Sequence, residues 1–198
     1  SFGSPAQTGL SLQSFSAGNA SLSRDYFGVA TDARRDEIVD WVEASATSTR
    51  ASARLGDIYH STPVMVGAPQ RDITDESYNA FRQLPEVATR PTVVYVASND
   101  GILHCFAATN HTYLTGPHAG QTISAGDELW GFVPPMLFPK LDAAVSAHQT
   151  MFDGSPVVKD CRRPATASCA SRVGARRAWG RSSGGHVLAR SRQRSVAA

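Results

Sequence analysis

The sequence is short of cysteine, of aromatic residues and, over its last fifth, of acid. Three cysteines in 198 residues, Cys105, Cys161 and Cys169, are too few and too scattered for a disulfide framework. Cys161 and Cys169 stand eight apart, with no C-x-x-C and no histidine at finger spacing, which excludes a zinc finger. No two cysteines are adjacent. No apolar run reaches the about 18 residues that a membrane-spanning helix needs. No charged segment followed by an apolar one opens the chain, so no signal peptide is visible; because the first residue is Ser1, this leaves the compartment open. Residues 161–198 hold nine arginines and no Asp or Glu, whereas residues 1–160 hold 17 acidic residues against ten basic ones. The net charge of +2 therefore averages two unrelated compositions.

What is present reads as a β-rich domain with a few short helices. Residues 1–30, rich in Ser, Gly, Ala and Asn, read as a loop or extended lead-in rather than a core element. A helix starts at Thr31-Asp32, where Asp32, Asp36 and Glu37 favour its N-terminal end, and Ile38, Trp41 and Val42 give it one apolar face through Glu43. The small-residue run ASATSTRASAR, 44–54, is a linker. From Leu55 the period becomes that of strands. Thr62-Pro63-Val64-Met65-Val66-Gly67 is a short strand with Pro63 at its start, where a missing N–H is tolerated. Asp75 opens a second helix whose Tyr78, Phe81 and Leu84 share a face, stopped by Pro85. Thr92–Ser98 is β-branched and aromatic, a buried strand; Asn99-Asp100-Gly101 turns the chain through residues that accept positive φ; Ile102–Ala107 returns. Residues 108–127 read as a polar loop, Glu128–Val133 as a third strand, and Pro139 opens a helix carrying Leu141, Ala144 and Val145.

Strand, tight turn, strand, loop, strand is the grammar of a propeller blade. A weak internal repeat supports it: His60-Ser61-Thr62-Pro63-Val64-Met65-Val66 is echoed by Asp153-Gly154-Ser155-Pro156-Val157-Val158. These segments also carry a family resemblance. Arg54–Val64, Arg90–Val96 with Asn99-Asp100-Gly101-Ile102-Leu103-His104, Glu128-Leu129-Trp130-Gly131-Phe132-Val133-Pro134 and Asp153–Val158 with Asp160 resemble, in order, the first blade of the PilC/PilY family of type IV pilus tip-associated proteins. Asp40-Trp41-Val42 resembles the segment before it, and the resemblance runs over about residues 15–160. It implies a mainly β fold, a partial β-propeller of one decorated blade plus the start of a second. The organisation it implies is a pre-propeller segment with one short helix (1–54), a propeller fragment (55–160) and an Arg-rich tail, disordered or aberrant (161–198). It further implies a non-enzymatic pilus biogenesis and adhesion protein, extracytoplasmic, at the bacterial outer membrane or pilus tip, that meets minor pilins or a host surface through inter-strand loops 68–91 and 108–127.

The departures are specific. Relatives often carry a calcium-binding loop of alternating Asp and Asn or Asp, and no such pattern occurs here; Asp72, Asp75 and Glu76 are spaced too irregularly for the six to eight oxygen ligands calcium takes. No cofactor is therefore expected. The tail has the Arg-Ala-Ser-Gly text of a GC-rich gene read out of frame, and without aromatic interleaving it gives no nucleic-acid arm. Trp130 is expected to pack between blades. His60 and His104 have no partner at ligand spacing, Asp100 belongs to its turn, and Asp57 is expected to cap backbone donors. Ser61 and Ser155 lack a nucleophile elbow. No catalytic, cofactor-binding or metal residue is assigned. Two alternatives share the blade grammar: a pyrroloquinoline-quinone dehydrogenase fragment, against which the missing Cys-Cys pair counts, and a propeller scaffold for outer-membrane assembly.

Overall fold

A computed structural model describes residues 12–70, 74–116 and 118–158, with the strand segments 173–175 and 187–190. The chain runs β1 (Leu12–Ser14), α1 (Asp32–Glu43), β2 (Val64–Val66), α2 (Glu76–Arg82), α3 (Pro85–Ala88), β3 (Val93–Ala97), β4 (Leu103–Ala107), β5 (His111–Thr112), β6 (Thr122–Ile123), β7 (Glu128–Val133), α4 (Phe138–Ser146), β8 (Pro156–Val158), β9 (Val173–Ala175) and β10 (Val187–Arg190).

The expected strands pair as an antiparallel meander, β2-β3-β4-β7, in which chain order is spatial order. Beyond β7 the sheet gains β10, antiparallel, and then β1, parallel to β10. A second sheet begins with β8 paired to β9. The sheets are antiparallel except for that one pair, and no closed sheet forms among the described residues. The 92–107 hairpin stands in the expected register, Val93 opposite Ala107 and Ala97 opposite Leu103.

Alternation of side chains divides the meander into two faces. Val93, Tyr95, Ala97, Leu103 and Cys105 point one way and form a buried cluster with Trp130, Phe132, Phe152 and Val158 against it. The second cluster lies between α1, α4 and the lead-in segment. Its members include Phe15, Leu22, Phe27, Ile38, Val39, Val42, Phe138 and Leu141. In it Phe27 stacks on Phe138 at 5.2 Å, and Phe15 meets Phe138 edge-on at 5.8 Å.

Several expectations need correction. The lead-in is a core element: Phe15, Leu22 and Phe27 are at most 2% exposed. Their apolar side chains are isolated in sequence, so only tertiary packing reveals them. In α1, Val39 rather than Trp41 completes the buried face, and Trp41 is left half-buried under Arg50. Pro85 does not merely stop α2, which has already ended at Arg82; it opens α3 at a position where its missing N–H costs nothing. Leu84 falls between the two helices and is exposed. The 108–127 loop contains the small hairpin β5-β6, locked where Thr112 and Thr122 face each other with hydroxyls 3.0 Å apart. In the 99–101 turn only Gly101 has positive φ, at 80°, and its N–H donates to the Ser98 carbonyl. A Cβ at Gly101 would also lie 3.1 Å from the Leu141 methyl, so conformation and space both ask for glycine there. The tail supplies the backbone of β9 and β10; its remainder, with Cys161 and Cys169, and also Asp72 lie outside the described residues.

Candidate functional site

The densest chemistry sits at the turn between β3 and β4. Asp100 is 2% exposed, and its two carboxylate oxygens collect almost every donor nearby. Arg50 Nη2 donates to Oδ2 at 2.6 Å and the Gly56 amide at 3.2 Å; the Ile102 amide reaches Oδ1 at 3.1 Å and the Ser98 hydroxyl donates to the same oxygen. His104 Nε2 is 3.0 Å from Asp100 Oδ2 and 3.1 Å from Ser98 Oγ, while Nδ1 is 2.8 Å from Glu128 Oε1. A β-bulge brings Glu128 there. Cys105 pairs with Trp130 and Phe106 with Glu128, so Leu129 is the extra residue and Glu128 turns to the His104 face.

Burial alone would raise the Asp100 carboxyl. The hydrogen bond and charge of His104, with the Arg50 guanidinium and the Ser98 hydroxyl, outweigh it and hold the group at about 2. Burial alone would lower His104, and its bonds to Asp100 and Glu128 reverse that, so the imidazole is held above its ordinary value. A serine, a histidine and an aspartate therefore stand together, but not as a nucleophile and its base. Both ring nitrogens face carboxylates, and Ser98 and His104 are each 1% exposed, out of reach of a substrate. What this arrangement does is hold three chain segments in one place: the 44–56 linker, the hairpin turn and β7.

Beside it opens a cleft of about 110 Å³ lined by Trp41, Arg50, Asp57, Asn99, Asp100 and His148, among others. Asp57 accepts from Asn99 Nδ2 at 2.6 Å and from His148 Nε2 at 2.8 Å, two side chains, beside its own backbone amide. Burial raises the Asp57 carboxyl, and these two bonds bring it below the usual range. Arg50 lies 4.6 Å above the Trp41 ring.

The other sequence candidates make contacts within the fold. The Ser61 hydroxyl accepts from the Ala97 amide at 3.3 Å. Asp75 caps α2 through the Tyr78 amide. Trp130 packs 5.6 Å from Tyr95 on the face that also meets Phe152 and Val158. Burial pushes the Cys105 thiol up to about 12, which leaves it unreactive. Among the described residues no group of three or more His, Cys, Asp or Glu is placed to hold a metal ion. No helix among them is long and apolar enough to cross a membrane.

The two copies of the internal repeat touch each other, and they do so at equivalent positions. His60 Nδ1 lies 3.1 Å from Asp153 Oδ1, and the Thr62 amide donates to Ser155 Oγ at 2.9 Å; both pairs are 93 residues apart. Sequence spacing had revealed the repeat, and the structure adds that its copies are in contact.

No protein-family model matches the sequence, and no solved structure matches the fold. Curated proteins do match. The chain is 34% identical over 122 residues to a type IV pilus biogenesis factor PilY1 of Pseudomonas aeruginosa strain UCBPP-PA14, covering 54% of this chain and 9% of that protein. It is 34% identical over 119 residues to a PilY1 homolog of Xylella fastidiosa strain Temecula1, covering 55% of this chain and 8% of that protein. The chain is related to the PilC/PilY family. As a PilC/PilY relative it spans less than a tenth of the proteins it matches.

Proposed function

We propose that this chain is the opening of a β-propeller in a type IV pilus biogenesis factor, non-enzymatic and extracytoplasmic. The observation that carries the role is the 34% identity to proteins named as such factors. The propeller reading is supported by the four-stranded meander followed by a strand of a second sheet that meets β2 at equivalent repeat positions. Units related by rotation about an axis approach each other at equivalent positions only near that axis, so β2 and β8 are the inner strands of two successive blades.

In this reading the buried Asp100 network is a rigid base, and recognition belongs to the loops it supports. The loops 68–91 and 108–127 would meet a minor pilin or a host surface. The domain plan follows the same logic: 55–160 forms blade and blade start, the lead-in from Phe15 and α1 pack on it, and the Arg-rich tail adds β9 and β10 to the two sheets.

In-frame deletion of the codons for residues 55–158 from the chromosomal gene tests the role. Sheared surface pilin and twitching motility are expected to fall to the level of a strain lacking pili, with whole-cell pilin unchanged. Normal surface piliation in that strain would contradict the proposal.

A further inference from the structure

His104 presents each ring nitrogen to a carboxylate, Nε2 at 3.0 Å from Asp100 and Nδ1 at 2.8 Å from Glu128. Only the imidazolium can donate to both, because the neutral ring carries a single N–H. The charged groups that face it are Asp100 from the turn, Glu128 from β7 and, behind Asp100, Arg50 of the linker. Val96 and Gly131, opposite it on β3 and β7, and Phe106, stacked on the ring at 5.5 Å, bring no charge. The two carboxylates are held differently. The Asp100 side chain is 1% exposed and also accepts from Arg50, Ser98 and the Gly56 and Ile102 amides. The Glu128 side chain is 19% exposed and stands at the bulge, where the ladder is already interrupted. It reaches the ring past Gly131, where a Cβ would lie 3.2 Å from Glu128 Oε1. The residues just before Glu128 carry the end of the 108–127 loop: the Ala107 amide donates to the Asp127 carbonyl at 2.9 Å and the Gly126 amide to the Ala107 carbonyl at 2.8 Å.

We propose that His104 and Glu128 form a proton-operated latch on the 108–127 loop: the imidazolium holds Glu128 and the bulge in place, and loss of its Nδ1 proton releases both. When the ring gives up one proton to water, Nε2 keeps its N–H toward Asp100, because Asp100 is pinned by its other donors and cannot retreat. Nδ1 then turns a lone pair on a carboxylate oxygen 2.8 Å away, and a charge-assisted hydrogen bond becomes a repulsion. Glu128, at the bulge and partly open to water, is the group that can move. The end of the loop is no longer fixed at the next residue, and its attachment to Ala107 loosens. Asp100, Arg50 and the linker stay together. Because its two carboxylates hold the His104 imidazole above its ordinary value, the latch is closed at neutral pH and opens on the alkaline side. The proposal stands on this network and not on the propeller reading. It couples one of the two loops assigned to recognition to a single buried proton.

Imidazole nitrogen chemical shifts and amide hydrogen exchange, followed across pH, test it. Above the His104 midpoint the ring is expected as the Nε2–H tautomer. Protection of the Ala107 and Gly126 amides, corrected for intrinsic exchange, is expected to fall about tenfold through that midpoint, as loss of one hydrogen bond to a charged group implies. The Gly56 and Ile102 amides, which donate to Asp100, are expected to keep theirs, whereas a general loss of stability would lower all of them together. Glu128→Gln should remove the pH dependence, because an amide can turn its oxygen to an Nδ1–H or its NH2 to the bare nitrogen. An Nδ1–H tautomer, unchanged protection at Ala107 and Gly126, or an equal fall at Gly56 and Ile102 would overturn the proposal. So would the same pH dependence in Glu128→Gln, and the measurements on the unsubstituted protein decide the matter even if that variant does not fold.

Discussion

At the residue scale, Asp100 and Arg50 decide how the molecule holds its linker. A buried pair contributes modestly when intact, but removing one partner leaves the other charge uncompensated. Asp100→Asn should therefore destabilise the chain by about 3–5 kcal/mol, read as a lowered urea midpoint. Asp75→Ala, which removes only a helix cap, should cost about 1 kcal/mol. The same network sets the pH range. The Asp100 carboxyl is lowered from 3.8 to about 2, so its contribution is present above about pH 4 and is lost as pH falls toward 2. The His104 imidazole is raised from 6.5, so its contribution is complete below about 6.5 and is lost as pH rises through the higher folded value. Urea midpoints across pH should peak between these limits, and His104→Gln should flatten the alkaline limb and, because His104 is the main contact holding the Asp100 carboxyl down, weaken the acid limb as well. Little of this was legible beforehand. Asp100 could be placed in its turn, but Arg50 lies in a run of small residues with no periodic neighbours, 50 positions from its partner.

At the element scale, the hairpin and α1 were readable because their signals are local. The β-branched run before Asn99, the glycine at 101 and the Thr31-Asp32 start each act within a few residues. Thr31 does cap α1, accepting from the Arg34 amide at 3.2 Å. Gly101→Ala would place a side chain at φ 80° and against Leu141, with a strain cost of roughly 1–3 kcal/mol. Equilibrium unfolding measures it, and an unchanged midpoint would mean that the turn relaxes freely. The lead-in was misread for the opposite reason. Phe15 stands between serines and Phe27 beside Tyr26 alone, with no periodic apolar run, and their weight comes from Phe138, more than a hundred residues on. Phe15→Ala should cost about 3–5 kcal/mol, as truncation of a buried aromatic does. A loss below 1 kcal/mol would show that the lead-in is only laid on the surface. The bulge at Leu129 had no sequence signal, yet without it Glu128 and Trp130 would share one face and His104 would lose a partner.

At the scale of the whole molecule, what matters is that the repeat seen in sequence is also a contact in space. Helices, caps and the buried network could serve many folds. Equivalent residues touching across 93 positions are the contact on which the proposed array of repeats rests. The most direct test of that claim is disulfide trapping. Thr62→Cys and Ser155→Cys are combined, with Cys161 and Cys169 changed to serine and buried Cys105 left in place, and the protein is oxidised mildly. The account predicts an intramolecular bond that forms in high yield at low protein concentration and shifts the non-reduced electrophoretic band. Pairing Thr62→Cys with Leu114→Cys, on the far hairpin loop, should give none. Failure of the 62–155 pair to close, or closure only between molecules, would contradict the account.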